Sequence, residues 1–209
     1  MDGPKAVFSS RYAGSVDYYA AMLHFGSVAI DYGEHYDKRN KHLNRMDIVG
    51  TNGLQSLSAS LVKPNSQMRV EEVELSGHGN WRHNHWGALF SAYGRTPYFD
   101  YFADDLKRIY SDESILTIAS LNEAIHCAVV DFLDLPLESY HFPGDSSHEA
   151  LNWADLRDSK LKDSINGYGC KEYYQIWQPK HGFQPSLSIL DLLFNMGREA
   201  IFYLVQIGR

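Results

Sequence analysis

Two cysteines in 209 residues, Cys127 and Cys170, are too few for a disulfide framework or a cysteine zinc site, so free thiols are expected. No apolar run approaches the roughly 18 residues of a membrane helix, and the start, MDGPKAVFSS, lacks the apolar stretch of a signal peptide. The expectation is a cytoplasmic protein with no membrane span. Basic residues are in the minority, 19 Lys and Arg against 26 Asp and Glu, and a net charge of −7 argues against a general nucleic-acid binder. Phosphate-loop glycines, a nucleophile elbow, a His-Glu-x-x-His pair and internal repeats are all missing. His83 and His85 are two apart, which on a helix turns them to roughly opposite sides, so no metal site is expected. No cofactor is named by the residues.

What is present is an ordinary apolar fraction of 44% with 22% charged residues, enough for one large domain. The chain is organised around Asn80 to Gly94, a helix with Asn80 as its side-chain cap and Gly94 as a left-handed stop. Trp81, His85, Leu89 and Ala92 share one face, and Arg82, Trp86, Phe90 and Tyr93 the next. The helix is therefore expected to be buried on several sides.

Ahead of it, Ala6-Val7-Phe8, a helix from Val16 to Phe25 capped by Ser15, and Ser27 to Asp31 suggest a βαβ unit with parallel strands. Asn52-Gly53 predicts a type I′ hairpin between Met46–Val49 and Leu54–Val62, and Val70 to Leu75 a further strand. The fold class is α/β: an N-terminal βαβ unit in a mixed sheet with an antiparallel hairpin, packed against a helical C-terminal half. One domain spans 1–209, with 1–76 mostly sheet-forming and 80–135 helical. Residues 138–172 form a long loop or lid in which Tyr140-His141-Phe142 can be a strand, and 186–205 form C-terminal helices. Thr96-Pro97, Ser120-x-x-Glu123 and Ser188-x-x-Asp191 read as helix starts, the last explaining Asp191 as a capping residue.

Open α/β sheets bind ligands at the carboxyl edge of their strands, which is where Asp31 ends an apolar run. A turn-initiating aspartate is the competing reading. Just beyond lies Lys38-Arg39-Asn40-Lys41-His42-Leu43-Asn44-Arg45, the most basic stretch in an acidic chain. Asn44 and Arg45 can bind a phosphate or carboxylate; an ion pair across the hairpin is the competing reading. His83 is either a pocket residue or a surface one.

Asn44-Arg45, Asn80 to Trp86, Ala92-Tyr93, Thr96 to Tyr101, Tyr173-Tyr174-Gln175, Lys180 to Phe183 and Leu187 to Asn195 together resemble the WbqC-like family, in particular its Bacteroidetes-type members. That resemblance implies a role in bacterial surface-polysaccharide (O-antigen) synthesis, with transfer of a glycyl or other acyl group to a sugar. The chain departs from the family pattern at Ser9-Ser10, at Tyr12-Ala13-Gly14, where members tend to have Tyr-Leu-Pro, and at His42. On this reading the protein is a transferase acting on an amino-sugar or nucleotide-sugar precursor. His35 or His83 is the base, Asp31 orients that base or the acceptor, Asn44 and Arg45 hold an anionic sugar-type ligand, and Trp81 and Tyr12 line its apolar face. The alternative is a non-catalytic binding or assembly protein of the same pathway. A homo-oligomer is left open.

Overall fold

A computed structural model describes residues 5–142, 153–157 and 170–208. Strand β1 (Ala6–Ser9), helix α1 (Val16–Phe25) and strand β2 (Ser27–Asp31) form the expected βαβ unit, with β1 and β2 parallel and adjacent. Ser15 Oγ accepts from the Tyr18 amide, and Gly26 ends the helix at φ 70°. Every residue of β1 and β2 is buried, as strands covered on both faces require.

Two further parallel strands complete this sheet in the order β5-β2-β1-β6: β5 (Glu138–His141) and β6 (Ala154–Leu156). Both fall in the stretch expected to be a long loop; β5 overlaps the candidate strand at Tyr140-His141-Phe142, and β6 was not foreseen. β6 has only three residues, too few to show any alternation. The remainder of the expected lid, 143–152 and 158–169, lies outside the described residues.

The hairpin β3 (Arg45–Gly50) and β4 (Gly53–Ser58) is antiparallel and makes a two-stranded sheet of its own. Its turn is not type I′: Gly53 has a positive φ of 97°, but Asn52 is not among the positive-φ residues. Val70 to Leu75 is not a strand either. A 3₁₀ turn covers Val70–Glu72, and its amides reach different partners, Val70 to Glu34 O and Glu71 to Tyr32 O. Val70 and Val73, three apart, are the buried pair, a spacing that suits a tight helical turn better than a strand.

Helix α2 (Trp81–Tyr93) has the expected bounds but different ends. Asn80 sits at φ 48° without a side-chain cap, while Gly94 is right-handed at φ −60°. Glycine is needed at 94 for another reason: a Cβ there would sit 2.6 Å from Phe90 O. Trp81, His85, Leu89 and Ala92 are buried as one stripe and Tyr93 of the adjoining face is buried too, but Phe90 is 60% exposed, so the second face is only partly covered. Helix α3 (Phe99–Ser111) packs beside it, and α4 (Ile118–Leu133) packs on α3. The box opening α4 is Thr117 with Ser120, which leaves the Glu123 carboxylate for another partner.

After the short helix α5 (Gln178–His181), α6 (Ile189–Met196) and α7 (Ala200–Ile207) close the core, α7 against α1. Ser188 caps α6 through the Leu190 amide, but Asp191 is no capping residue. It is fully buried, and its Oδ2 accepts from Tyr173 Oη at 2.6 Å and Gln175 Nε2 at 3.2 Å. Asn195 one turn later accepts from the Ile176 amide. The polar residues of α6 therefore hold the 173–176 segment against the core.

Candidate functional site

Strand register gathers buried polar side chains, Ser9, Ser10, Arg11 and Asp31 among them, at the carboxyl edge of the parallel sheet. Ser9 pairs with Asp31, Phe8 with Leu156 and Ile30 with His141, so the ends of all four strands come level. Asp31, buried at the end of β2, accepts from the Gly33 amide at 3.0 Å through Oδ1 and from Arg157 Nη1 at 2.9 Å through Oδ2. Both earlier readings of Asp31 meet here: it starts a turn, and it is a charged group at the sheet edge. Arg157 follows β6 and crosses the end of β1 to reach Asp31, two strand spacings or about 10 Å away. Its Nε and Nη2 also donate to Asp155, and these bonds, Asp155's first and Asp31's after, raise the guanidinium pKa further.

On the same edge, Ser9 Oγ donates to Glu34 Oε2 at 3.1 Å, and Asn122 of α4 donates to Ser10 Oγ at 3.0 Å and to Leu43 O at 2.9 Å. Arg11 lies over the Tyr18 ring at 5.0 Å. His126, buried on α4, sits between Tyr19 Oη (3.2 Å) and Ser139 Oγ (3.1 Å). Burial drives its pKa down to about 4, so it stays neutral and structural at pH 7.

His141 is different. It ends β5, is exposed, and its Nε2 lies 2.5 Å from Glu123 Oε1 on α4, with the Tyr32 ring at 4.8 Å. With Nε2–H donated to the carboxylate, the neutral ring presents Nδ1 as a proton acceptor. An imidazole oriented by a carboxylate at a strand end can act as a general base.

The remaining expected site residues are dispersed. Tyr12 is buried, its Oη 2.8 Å from both His85 Nδ1 and Tyr110 Oη, so it faces the core. Asn44 braces the hairpin foot through Ala59 O at 2.9 Å, and Arg45 Nε donates across the strands to Ser58 Oγ at 3.1 Å. The crevice beside Arg45 measures about 20 Å³, the room of roughly one water. Arg39 of the basic run closes on Asp37 in its own turn, a bond that lowers the Asp37 pKa to about 2. His35 is exposed at a bridge with Arg69. Trp81, buried with Nε1 on Ser76 O, and exposed His83 line a separate cleft between α2 and α3. Among the described residues no group of three His, Cys, Asp or Glu could hold a metal ion, and no helix is long and apolar enough to cross a membrane.

The profile of the WbqC-like protein family matches residues 10–175, more than half of the chain. The chain belongs to the WbqC-like protein family. The chain is also similar to the uncharacterized protein Rv1507c of Mycobacterium tuberculosis (strain ATCC 25618 / H37Rv), 26% identical over 227 residues, covering 95% of this chain and 96% of that protein. No solved structure matches it. The matched WbqC-like region takes in β2 to β6 and the whole sheet edge apart from Ser9. The run Leu187 to Asn195 lies beyond it, and α6 there serves the core.

Sequence reading missed His141, Glu123 and Arg157. A signal existed for the first: Tyr140-His141-Phe142 ends a strand as Asp31 does, so the carboxyl-edge argument applied to it equally. Glu123 was hidden by the apparent capping box at Ser120. Arg157 follows a strand too short to be read.

Proposed function

We propose that this WbqC-like protein is a cytoplasmic transferase that passes an acyl or aminoacyl group, glycyl being one, to an amino-sugar or nucleotide-sugar precursor of bacterial surface polysaccharide, the O-antigen. The observation that carries this reading is the His141–Glu123 pair at the carboxyl edge, 2.5 Å apart and open to solvent. His141 takes the place first considered for His35 or His83. Its Nδ1 accepts the proton of the attacking amine or hydroxyl as that atom bonds to the acyl carbon; the leaving group departs with the electron pair of the broken bond. Asp31, held by Arg157, is a positioning residue that keeps the strand ends in register.

The test is mass-spectrometric detection of acylated product from amino sugars and nucleotide amino sugars with aminoacyl donors. His141→Gln is expected to lose at least about 100-fold in rate, the lower end for a general base. Because His141 is exposed, the thermal midpoint should hold. Unchanged turnover in His141→Gln would remove this base from the reaction.

A second reading, a non-catalytic binding or assembly protein of the same pathway, is favoured by two observations. Tyr12, Asn44, Arg45 and Asp31 all bond within the chain, and Phe90, Tyr101 and Phe202 are large exposed aromatics. No product from any donor–acceptor pair, with ligand binding intact, is the outcome that selects it.

A further inference from the structure

A polar-rimmed opening with several charged side chains in its lining lies away from the sheet edge, between the first turn of α2 and the last turn of α3. It has a volume of about 530 Å³, inside the roughly 300–1,000 Å³ range of small-molecule sites. Its lining includes the half-buried indole of Trp86, the Arg82 guanidinium, the His83 imidazole and the Lys107 ammonium; Glu113 is the one carboxylate among the lining residues. The balance is positive in a chain of net charge −7.

Arg82 is held before any ligand arrives. Its Nη2 donates to Ile115 O at 2.5 Å and its guanidinium lies over the Trp81 ring at 5.0 Å. Nη1 is buried and has no acceptor among the described residues. An orphaned guanidinium donor is costly unless an acceptor completes it, and a bound anion or ordered water supplies one. Lys107, exposed on α3 one helical turn before Tyr110 and Ser111, brings a mobile second cation to the rim. Trp86 offers a flat apolar face, tilted against Phe99 at 5.8 Å and so fixed in orientation. The floor is fixed too, because Tyr110 is hydrogen-bonded to Tyr12.

Two cations beside one indole suit a ligand that carries an anion on a flat ring: the ring's face packs on the indole while the anion meets the guanidinium and ammonium. We propose that this cleft binds a phosphate ester of a ring compound, a sugar phosphate or a nucleotide. The site does not depend on the His141–Glu123 reading.

The test is titration calorimetry of the full chain with glucose 1-phosphate and uridine 5′-monophosphate, and with glucose, uridine and inorganic phosphate as controls. At least one phosphate ester is expected to bind saturably and more tightly than its parent ring compound or phosphate alone; the better ester names the source. Lys107→Glu is expected to weaken binding by at least about tenfold. Arg108→Glu, the same charge change on the neighbouring exposed residue, whose partner is Asp105, should leave affinity nearly unchanged. Trp86→Leu, which keeps an apolar side chain but loses the ring, should weaken the ester more than phosphate. His141→Gln should bind like the parent, so a failed transferase reading leaves this result standing. The proposal is overturned if no ester binds, if phosphate alone binds as well as the esters, if Lys107→Glu and Arg108→Glu act equally, or if His141→Gln abolishes binding.

Discussion

At the residue scale, three buried titratable groups set opposing pH dependences. Burial raises the Asp191 carboxyl to about 6. Between an unfolded value near 4 and pH 6, the folded chain keeps a proton that the unfolded chain has released. Stability from this group is therefore full below about pH 4 and falls as pH rises to 6, by about 3 kcal/mol at most. His85 and His126 act the other way. Burial lowers each to about 4, so the unfolded chain takes up protons first, and stability falls as pH drops from about 6.5 to 4. Asp191→Asn keeps an acceptor for Tyr173 and Gln175 and cannot ionise. Urea titrations at pH 4, 5, 6 and 7 should show its advantage over the parent growing with pH. His126→Gln should show an advantage growing as pH falls. Parallel curves for parent and Asp191→Asn would mean that the carboxylate is not held where its burial places it.

Helix α2 illustrates the element scale. Its residues are apolar or aromatic on two adjoining faces; the structure covers the first fully and the second unevenly, burying Tyr93 but leaving Phe90 exposed. Leu89 is completely buried, and Leu89→Ala is expected to cost about 2–5 kcal/mol; Phe90, 60% exposed, should cost under about 1 kcal/mol as Ala. Denaturant midpoints compare the two directly, and equal losses would place Phe90 in a covered position. The reason is the neighbourhood. Phe90 meets only the start of α3, Phe99 edge-on at 5.7 Å, and borders a groove with Trp177, whereas Leu89 lies in the core. The 3.6-residue period says which residues share a face, but not which faces find a partner.

Over the whole molecule, the Asp31–Arg157 pair ties residues 126 apart in sequence across the ends of three strands. Asp31 is nearly fully buried, while the Arg157 side chain is 26% exposed. Asp31→Ala should therefore cost about 3 kcal/mol, the lower end for breaking a buried pair. In Asp31→Ala combined with Arg157→Met the loss should be smaller, because no unpaired charge is left behind. A double-mutant cycle measures this, and strictly additive losses would show that the two side chains do not interact.

Much of the architecture was legible in local pattern. The bounds of β1, α1, β2 and α2 follow from apolar runs, from Ser15 as a cap and from Gly26 as a stop, all interactions within a few residues. The α/β class and the parallel βαβ unit follow from spacing alone, and family membership from the joint occurrence of blocks such as Asn80 to Trp86. What tertiary structure decided is where long side chains and strand ends meet. Val70 to Val73 became a tight turn because its amides found carbonyls of the 32–34 segment. Asp191, which fits a capping pattern, was drawn inward by Tyr173 and Gln175. His141 met Glu123, and Arg157 met Asp31, only because parallel pairing set the ends of β5, β2, β1 and β6 level. A short-range pattern records the hydrogen bonds a segment makes with itself; a site built from four strand ends depends on register between segments, which no single segment contains.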